Sequence, residues 1–94
     1  LPSVRFILIE PYAVKGWVID KYADSFCEIK KYSDIVKRIA EEYGFPFVEL
    51  QKIFDEYNEK FGSDFCTYDG IHPQVAGSAL IAEKVAVAIY ELTK

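Results

Sequence analysis

The chain has 94 residues, of which 51% are hydrophobic and 16% aromatic, and its formal net charge is −4. This length suffices for one small domain or for part of a larger one, and so apolar a chain buries surface rather than staying disordered. The acidic charge and the lack of a basic cluster argue against nucleic acid or an anionic membrane as partner. No apolar run approaches a bilayer span, so the sequence predicts a soluble protein and leaves cytoplasmic and secreted locations open.

The chain begins Leu1-Pro2-Ser3 and contains no methionine. A start codon is therefore expected upstream of these residues. Either a leader has been removed, or residues 1–94 are a segment of something longer.

Two short runs are predicted to be strands. Residues 4–9 end at Glu10-Pro11 and do not alternate, which suits a parallel strand covered on both faces. Residues 45–50 form the second run, which is entered through Pro46. The segment after the first strand, residues 12–18, is predicted to be a loop.

Three stretches are predicted to be helices: residues 21–43, 51–61 and 74–92. The first carries an apolar stripe at steps of three and four residues and ends at Gly44. The last has apolar residues over so wide an arc that it needs a sheet and a neighbouring helix to cover it. The stripe of the first helix consists of Ile29, Tyr32, Ile35, Val36, Ile39, Ala40 and Tyr43.

Alternating strands and helices predict parallel strands with right-handed crossovers, which is the α/β class. Two strands make a very narrow sheet, and three amphipathic helices offer more apolar surface than two strands can cover. We therefore expect further strands to exist outside this chain, in a longer parent sequence or in a partner copy.

The segment Asp69-Gly70-Ile71-His72-Pro73 is the main functional signal, and His72 is the only histidine. Asp-Gly favours a turn that brings the carboxylate beside the imidazole. Pro73 keeps His72 out of the helical region and suits the first position of the next helix. His72 could then carry a proton while Asp69 orients its ring. A structural histidine that only stabilises a turn is an equally good interpretation of this spacing.

Sites in open α/β sheets lie at the carboxyl ends of strands, where the loop after the first strand would sit. Tyr12 and Trp17 in that loop are candidates to border a substrate pocket, with core or surface packing as the alternative. Cys66 could pair with His72 as a nucleophile, or join Asp69 and His72 in a metal site, but packing near the cleft is preferred. Cys27 is predicted to be a half-buried helix residue, and a disulfide between Cys27 and Cys66 stays an alternative to two reduced thiols.

The block Asp69-Gly70-Ile71-His72-Pro73, followed by residues 74–82, resembles the last conserved block of the SGNH (GDSL-type) hydrolases. Residues 7–12 also resemble the strand and loop that precede that block. The resemblance implies a flavodoxin-like three-layer α/β/α sandwich, of which residues 1–94 form the carboxyl-terminal part of a single domain. It implies that His72 is the general base and Asp69 its orienting carboxylate. The implied parent is a serine ester hydrolase acting on small acyl esters, such as acetyl groups on carbohydrate, and needs no cofactor.

The nucleophile of that family is not matched in this chain. The family carries it in a Gly-Asp-Ser block, with oxyanion donors from a Gly and an Asn in later blocks. Residues 62–64 contain the same residue types in another order and read as a turn, and the one asparagine, Asn58, is predicted to face solvent from a helix. The remaining serines have no matching context; they are Ser3, Ser25, Ser33 and Ser78. The chain alone is therefore predicted to be catalytically silent.

Two other hypotheses stay open. The chain could be a noncatalytic α/β protein in which the contact between Asp69 and His72 is structural and an exposed sheet edge drives self-association. It could also be one part of a two-chain enzyme assembled by cleavage or complementation. An isolated half-domain would also leave an unpaired strand edge and an open apolar helix face, so a species larger than a monomer is predicted for the chain on its own.

Overall fold

The computed structural model describes residues 4–94, except for the side chain of Ser25. The expectation drawn from Leu1, Pro2 and Ser3 therefore lies outside the described residues. Helices and strands alternate as the sequence predicts, in an α/β arrangement. In chain order the elements are β1 (Leu8–Ile9), α1 (Trp17–Lys21), α2 (Ala23–Phe26), α3 (Ile29–Tyr43), β2 (Phe47–Val48), α4 (Gln51–Phe61) and α5 (Val75–Thr93).

The sheet consists of β1 and β2, which pair in parallel with Leu8 opposite Phe47 and Ile9 opposite Val48. The amide of Leu8 donates to the Pro46 carbonyl at 3.0 Å, and the amide of Glu10 donates to the Val48 carbonyl at 2.9 Å. The parallel pairing agrees with the prediction, but both strands are shorter than the predicted runs. Helix α3 packs against β1 and α5 packs against β2.

The predicted helix over residues 21–43 is wrong in its first half. Residues 17–28 form two short helices, α1 and α2, with a break at Tyr22, whose φ of −119° and ψ of 40° are not helical. Trp17, predicted to lie in a loop, is the first residue of α1. Helix α1 is attached to a distant loop, because the amide of Val18 in its first turn donates to the Asp69 carbonyl. The predicted end of the long helix is correct, since Gly44 at φ 72° ends α3.

The core has two neighbouring parts, both of which depend on α5. One part is formed by β2, the start of α4 and α5, with Val48, Leu50 and Ala88 buried. The other joins the loop after β1 to α4 and α5, with Val14, Phe54, Cys66 and Leu80 buried. Tyr12 packs against both parts, so the loop after β1 is held to the core before it reaches α1.

Strand β1 is not covered on both faces, contrary to the prediction: Ile9 is 45% exposed, and Phe6 just before the strand is 52% exposed. The apolar stripe of α3 is also only partly buried. Three of its members, Tyr32, Ile39 and Tyr43, face solvent, as do Phe61 of α4 and Val87, Ile89 and Tyr90 of α5. Within residues 4–94, no helix is both long and apolar enough to cross a membrane.

Candidate active site

The side chains of Asp69 and His72 form a close pair. Asp69 Oδ2 lies 2.6 Å from His72 Nδ1. A carboxylate can only accept, so Nδ1 carries the proton in this contact and the neutral ring has its free lone pair on Nε2. The Asp69 side chain is 10% exposed and the His72 side chain is 75% exposed. A largely buried acid therefore orients an imidazole that remains open to solvent.

The turn around Asp69 forms through its other carboxylate oxygen. Oδ1 accepts hydrogen bonds from the backbone amides of Ile71, at 2.9 Å, and His72, at 2.8 Å. This Asx-type turn is common where an aspartate precedes glycine. Gly70 adopts a φ of +107°, a value that residues with a β-carbon rarely adopt. The buried Thr67 adds a hydrogen bond, because its Oγ1 accepts from the Gly70 amide at 2.8 Å.

The end of this loop differs from the sequence-based prediction. Pro73 is not the first residue of the helix; it forms a bridge with Thr67, and α5 begins at Val75 after Gln74 as its N-cap. The amide of Tyr68 donates to the His72 carbonyl at 2.9 Å and closes the loop. His72 is consequently held on a short antiparallel hairpin that precedes α5.

The pKa of Asp69 is lowered from 3.8 to about 2. The main cause is the hydrogen bond from the His72 backbone amide; desolvation opposes it, and the His72 ring, the Ile71 amide and the imidazole charge lower the pKa further. Asp69 is therefore ionised throughout the physiological pH range. An ionised carboxylate at Nδ1 stabilises the imidazolium that forms when a histidine accepts a proton during a reaction.

The segment after β1, from Tyr12 to the first turn of α1, holds the Asp69–His72 loop at three consecutive carbonyls. The Val18 amide donates to Asp69 O at 3.1 Å and the Val14 amide donates to Gly70 O at 2.9 Å. The Tyr12 hydroxyl donates to Ile71 O at 2.6 Å. Sequence reasoning places the two loops at one cleft, and these hydrogen bonds bring them into direct contact.

Tyr12 and Trp17, the two predicted substrate-pocket residues, have different surroundings. The Tyr12 ring is half-buried, packs on Phe54 with 4.6 Å between ring centroids, and uses its hydroxyl on Ile71. Burial and the nearby Asp69 carboxylate raise the pKa of the Tyr12 phenol. Trp17 is 60% exposed at the start of α1, one residue before the Val18 amide that contacts Asp69. A substrate-binding role for either residue stays a prediction.

The serines and Asn58 offer no partner for His72 among the described side chains. Ser63 lies in a turn, Ser33 Oγ donates to the Glu10 carboxylate, and Ser78 is exposed on α5. Ser3 and the side chain of Ser25 lie outside the described part of the structure. Asn58 is not solvent-facing as predicted: it is half-buried, and its Oδ1 accepts from the Cys66 amide at 3.1 Å.

Both cysteines are free thiols, so the alternative of a disulfide is wrong. Cys27 is exposed in the turn after α2 and not half-buried as predicted, whereas Cys66 is fully buried. Burial raises the pKa of the Cys66 thiol, which disfavours the reactive thiolate. Cys66 Sγ lies 3.9 Å from the Phe54 carbonyl, which it faces as a packing residue. In residues 4–94, no three His, Cys, Asp or Glu side chains are grouped so as to hold a metal ion.

Sequence reasoning missed the role of Glu10. Its Oε1 accepts from the amides of Leu50 and Gln51, each at 2.8 Å, and its Oε2 accepts from Ser33. A concavity of about 690 Å³ lies beside it, between α3 and α4, and neither Asp69 nor His72 lines it. The available signal was a glutamate directly after a strand. In a parallel sheet this position lies at the edge where the N-termini of the helices also lie, so its carboxylate can accept from their free amides.

Comparison with known proteins gives three similarities. The chain is 32% identical over 82 residues to an acetylxylan esterase from Geobacillus stearothermophilus, a match that covers 86% of this chain and 36% of the esterase. Its fold superposes on a GDSL-like lipase from Parabacteroides merdae with a TM-score of 0.79 at 23% identity, over 94% of this chain and 40% of the lipase. It also superposes on LAE5, an α/β hydrolase from the metagenome of Lake Arreo, with a TM-score of 0.74 at 29% identity, over 99% of this chain and 42% of that protein.

The chain thus spans 36% of the length of the curated relative it matches and about two fifths of each of the two solved structures. No protein-family model matches the chain. The similarity establishes a partial α/β fold of the kind found in these hydrolases.

Proposed function

We propose that residues 1–94 are the carboxyl-terminal part of an SGNH-type serine ester hydrolase domain, in which His72 is the general base and Asp69 orients it. One observation carries the proposal: Asp69 Oδ2 lies 2.6 Å from Nδ1 of an imidazole that is itself 75% exposed. A histidine that only stabilised a turn would not need an exposed ring, because the turn is already closed by its backbone amide.

The similarities support this proposal independently of the site. Two of the three matched proteins are named as an esterase and a GDSL-like lipase, and the third is an α/β hydrolase. The chain matches less than half of each, which fits a three-layer sandwich of which β1, β2 and the helices form one part. Further strands would then pair with the free edge of β1, and the rest of the domain would cover the exposed side chains of Ile9 and Phe6.

The proposed reaction is acyl transfer from an ester to a serine and then to water. The serine, supplied by polypeptide outside residues 1–94, gives its proton to His72 Nε2 as its oxygen attacks the ester carbonyl. The alkoxide of the substrate leaves with that proton, and an acyl-enzyme remains. Water attacks the acyl-enzyme by the same route, and Asp69 stabilises the imidazolium in both steps. Acetyl esters of carbohydrate are the proposed substrate class, after the matched acetylxylan esterase.

Complementation tests this proposal. The part of the Geobacillus acetylxylan esterase that this chain does not match would be co-expressed with residues 1–94, and assembly would be checked by size-exclusion chromatography. We expect the assembled pair to cleave p-nitrophenyl acetate and the 94-residue chain alone to be inactive. His72→Ala should lower the rate by about 10³-fold or more, and Asp69→Asn by about 10²- to 10⁴-fold.

Asp34→Ala serves as the matched control, because Asp34 is an exposed carboxylate of α3 that pairs with Lys30 at 3.3 Å. This variant should keep the full rate. If the assembled His72→Ala pair is as active as the unmodified pair, His72 is not the base. If an assembled pair is inactive throughout, the hydrolase proposal loses its support.

A noncatalytic chain that self-associates is the second candidate, and the exposure of β1 favours it. The described sheet has only two strands, so β1 has an edge that pairs with no other described strand. We expect a species larger than a monomer by light scattering at micromolar concentration, and Ile9→Lys should reduce it because a lysine on an edge strand opposes pairing. Ile89→Lys, at an exposed position of α5, is the control. A stable monomer would contradict self-association.

A further inference from the structure

The backbone of Gly16 lies directly against the peptide bond that joins Asp69 to Gly70. A β-carbon at Gly16 would lie 2.2 Å from the carbonyl carbon and oxygen of Asp69 and 2.4 Å from the Gly70 nitrogen. These are backbone atoms and cannot move aside as the end of a long side chain can. The φ of Gly16 is 175°, an extended value open to any residue. Contact alone, and not backbone strain, therefore requires glycine at this position.

The same contact restricts the opposite side of the interface. A β-carbon at Gly70 would lie 2.5 Å from the Val14 carbonyl oxygen and 2.8 Å from Ile19 Cγ1. The two loops thus meet glycine to glycine. This close approach is what allows Tyr12, Val14 and Val18 to reach three consecutive carbonyls of the Asp69 loop.

The orientation of the Asp69 carboxylate depends on that peptide. Its Oδ1 is held by two amides of its own turn and its Oδ2 faces His72 Nδ1, so the side chain has little freedom apart from the backbone that carries it. A shift of a few tenths of an ångström to 1 Å at Asp69 would lengthen the contact to His72, which is 2.6 Å. Catalytic groups lose much of their effect when displaced by such distances.

We propose that Gly16 is a positioning residue for the Asp69–His72 pair: the absence of a side chain there lets the loop after β1 fix the Asp69–Gly70 peptide, and through it the carboxylate that orients the imidazole. The catalytic meaning of this role rests on the proposed function. The positioning itself is a property of the free chain and can be measured without substrate.

NMR spectroscopy of the isotope-labelled 94-residue chain tests the proposal, because one histidine gives one set of ring resonances. In the unmodified chain we expect a protonated Nδ1 with a slowly exchanging, strongly downfield proton. Gly16→Ala, at a temperature where circular dichroism shows it folded, should lose this resonance to exchange with water. The Asp69 carboxyl carbon should also titrate at a higher pH than in the unmodified chain.

Gly77→Ala is the matched control. Its β-carbon would lie 2.1 Å from the Cys66 carbonyl oxygen, an equally severe clash against the same loop but away from Asp69. Folded Gly77→Ala should keep the Nδ1 proton and the Asp69 titration. The proposal is overturned if Gly16→Ala keeps both signals, or if Gly77→Ala loses them to the same extent.

If Gly16→Ala does not fold, Tyr12→Phe replaces it. This variant removes the hydrogen bond to Ile71 O and keeps the ring that packs on Phe54. We expect exchange of the Nδ1 proton to be roughly tenfold faster, as for the loss of one ordinary hydrogen bond. Unchanged exchange would contradict positioning by this loop. An inactive complemented enzyme would refute the proposed hydrolase function and leave these NMR results unaffected.

Discussion

Glu10 Oε1 lies 2.8 Å from the backbone nitrogen of Leu50, and it accepts the Gln51 amide at the same distance. The residue directly after β1 thus satisfies amides at the start of α4, where the N-cap residue Leu50 has no side-chain group that could do so. Helix N-termini attract carboxylates because their first amides have no partner within the helix. With Ser33 of α3 on its other oxygen, Glu10 joins three elements near the sheet edge.

Replacing Glu10 should therefore destabilise the fold. Glu10→Ala leaves two amides and a hydroxyl without their acceptor, and we expect the free energy of unfolding to fall by about 2–4 kcal/mol. Urea denaturation followed by circular dichroism measures this. Glu49→Ala is the control, since Glu49 is exposed and pairs with Lys37 at 3.7 Å; it should change stability by less than about 0.5 kcal/mol. Equal losses in the two variants would show that the hydrogen bonds of Glu10 stabilise the fold no more than the exposed pair of Glu49 does.

His72 and Asp69 should contribute unequally to stability. His72→Ala removes an exposed ring and leaves the backbone turn intact, so we expect a loss below about 1 kcal/mol. Asp69→Ala removes the acceptor of two backbone amides and should be clearly more destabilising. Thermal and urea unfolding of both variants measures the two losses of stability. A loss in His72→Ala as large as that in Asp69→Ala would favour a structural histidine.

Asp69 should also shape the acid sensitivity of the chain. Its pKa is about 2 in the folded chain against a usual value of 3.8, so its ionised form stabilises the fold. That stabilisation is complete above about pH 3.8 and is lost as the pH falls through about 2. We expect the free energy of unfolding to decline over this interval and Asp69→Asn to flatten the decline.

The control for this acid effect is Asp34→Asn, which removes an exposed carboxylate 3.3 Å from Lys30 and should leave the decline in place. Stability would be measured by urea unfolding at a series of pH values. An equally flattened profile in Asp34→Asn would mean that the decline reflects general charge repulsion.

The two thiols should differ in reactivity. Cys27 is exposed, whereas Cys66 is fully buried and its thiol pKa is raised by desolvation. We expect one thiol to react promptly with Ellman's reagent in the native chain and the second only after unfolding in urea. Cys27→Ser should remove the fast phase and Cys66→Ala the slow one. A fast reaction of Cys66 in the native chain would reopen the interpretation of Cys66 as a nucleophile.

Local patterns in the sequence sufficed for much of the fold. The helix over residues 51–61 is predicted at its observed bounds, and α5 differs from its prediction by one residue at each end. Both have apolar residues at helical spacing, and Gly62 directly follows the last residue of α4. The turn at Asp69 could also be predicted from the sequence, because the aspartate accepts from amides two and three residues along the chain and needs no distant segment.

Contacts between distant segments decided the rest. No glycine or proline lies between Trp17 and Tyr43, so no helix-breaking residue indicated the break at Tyr22. Asn58 was expected to face solvent, but the Cys66 amide that turned it inward is eight residues away and follows a bend. Gly16 gave no sign of its role, since its conformation is one that any residue adopts.

The sequence by itself determined the order of helices and strands, the parallel class of the sheet and the residues able to form a proton-transfer pair, because each depends on neighbours a few positions apart. Only the tertiary structure decided how that pair is held. Tyr12, Gly16 and Val18 meet the Asp69 loop across more than 50 residues of chain. Which backbone groups come together over such a distance follows from how the core packs, and periodicity in the sequence carries no record of it.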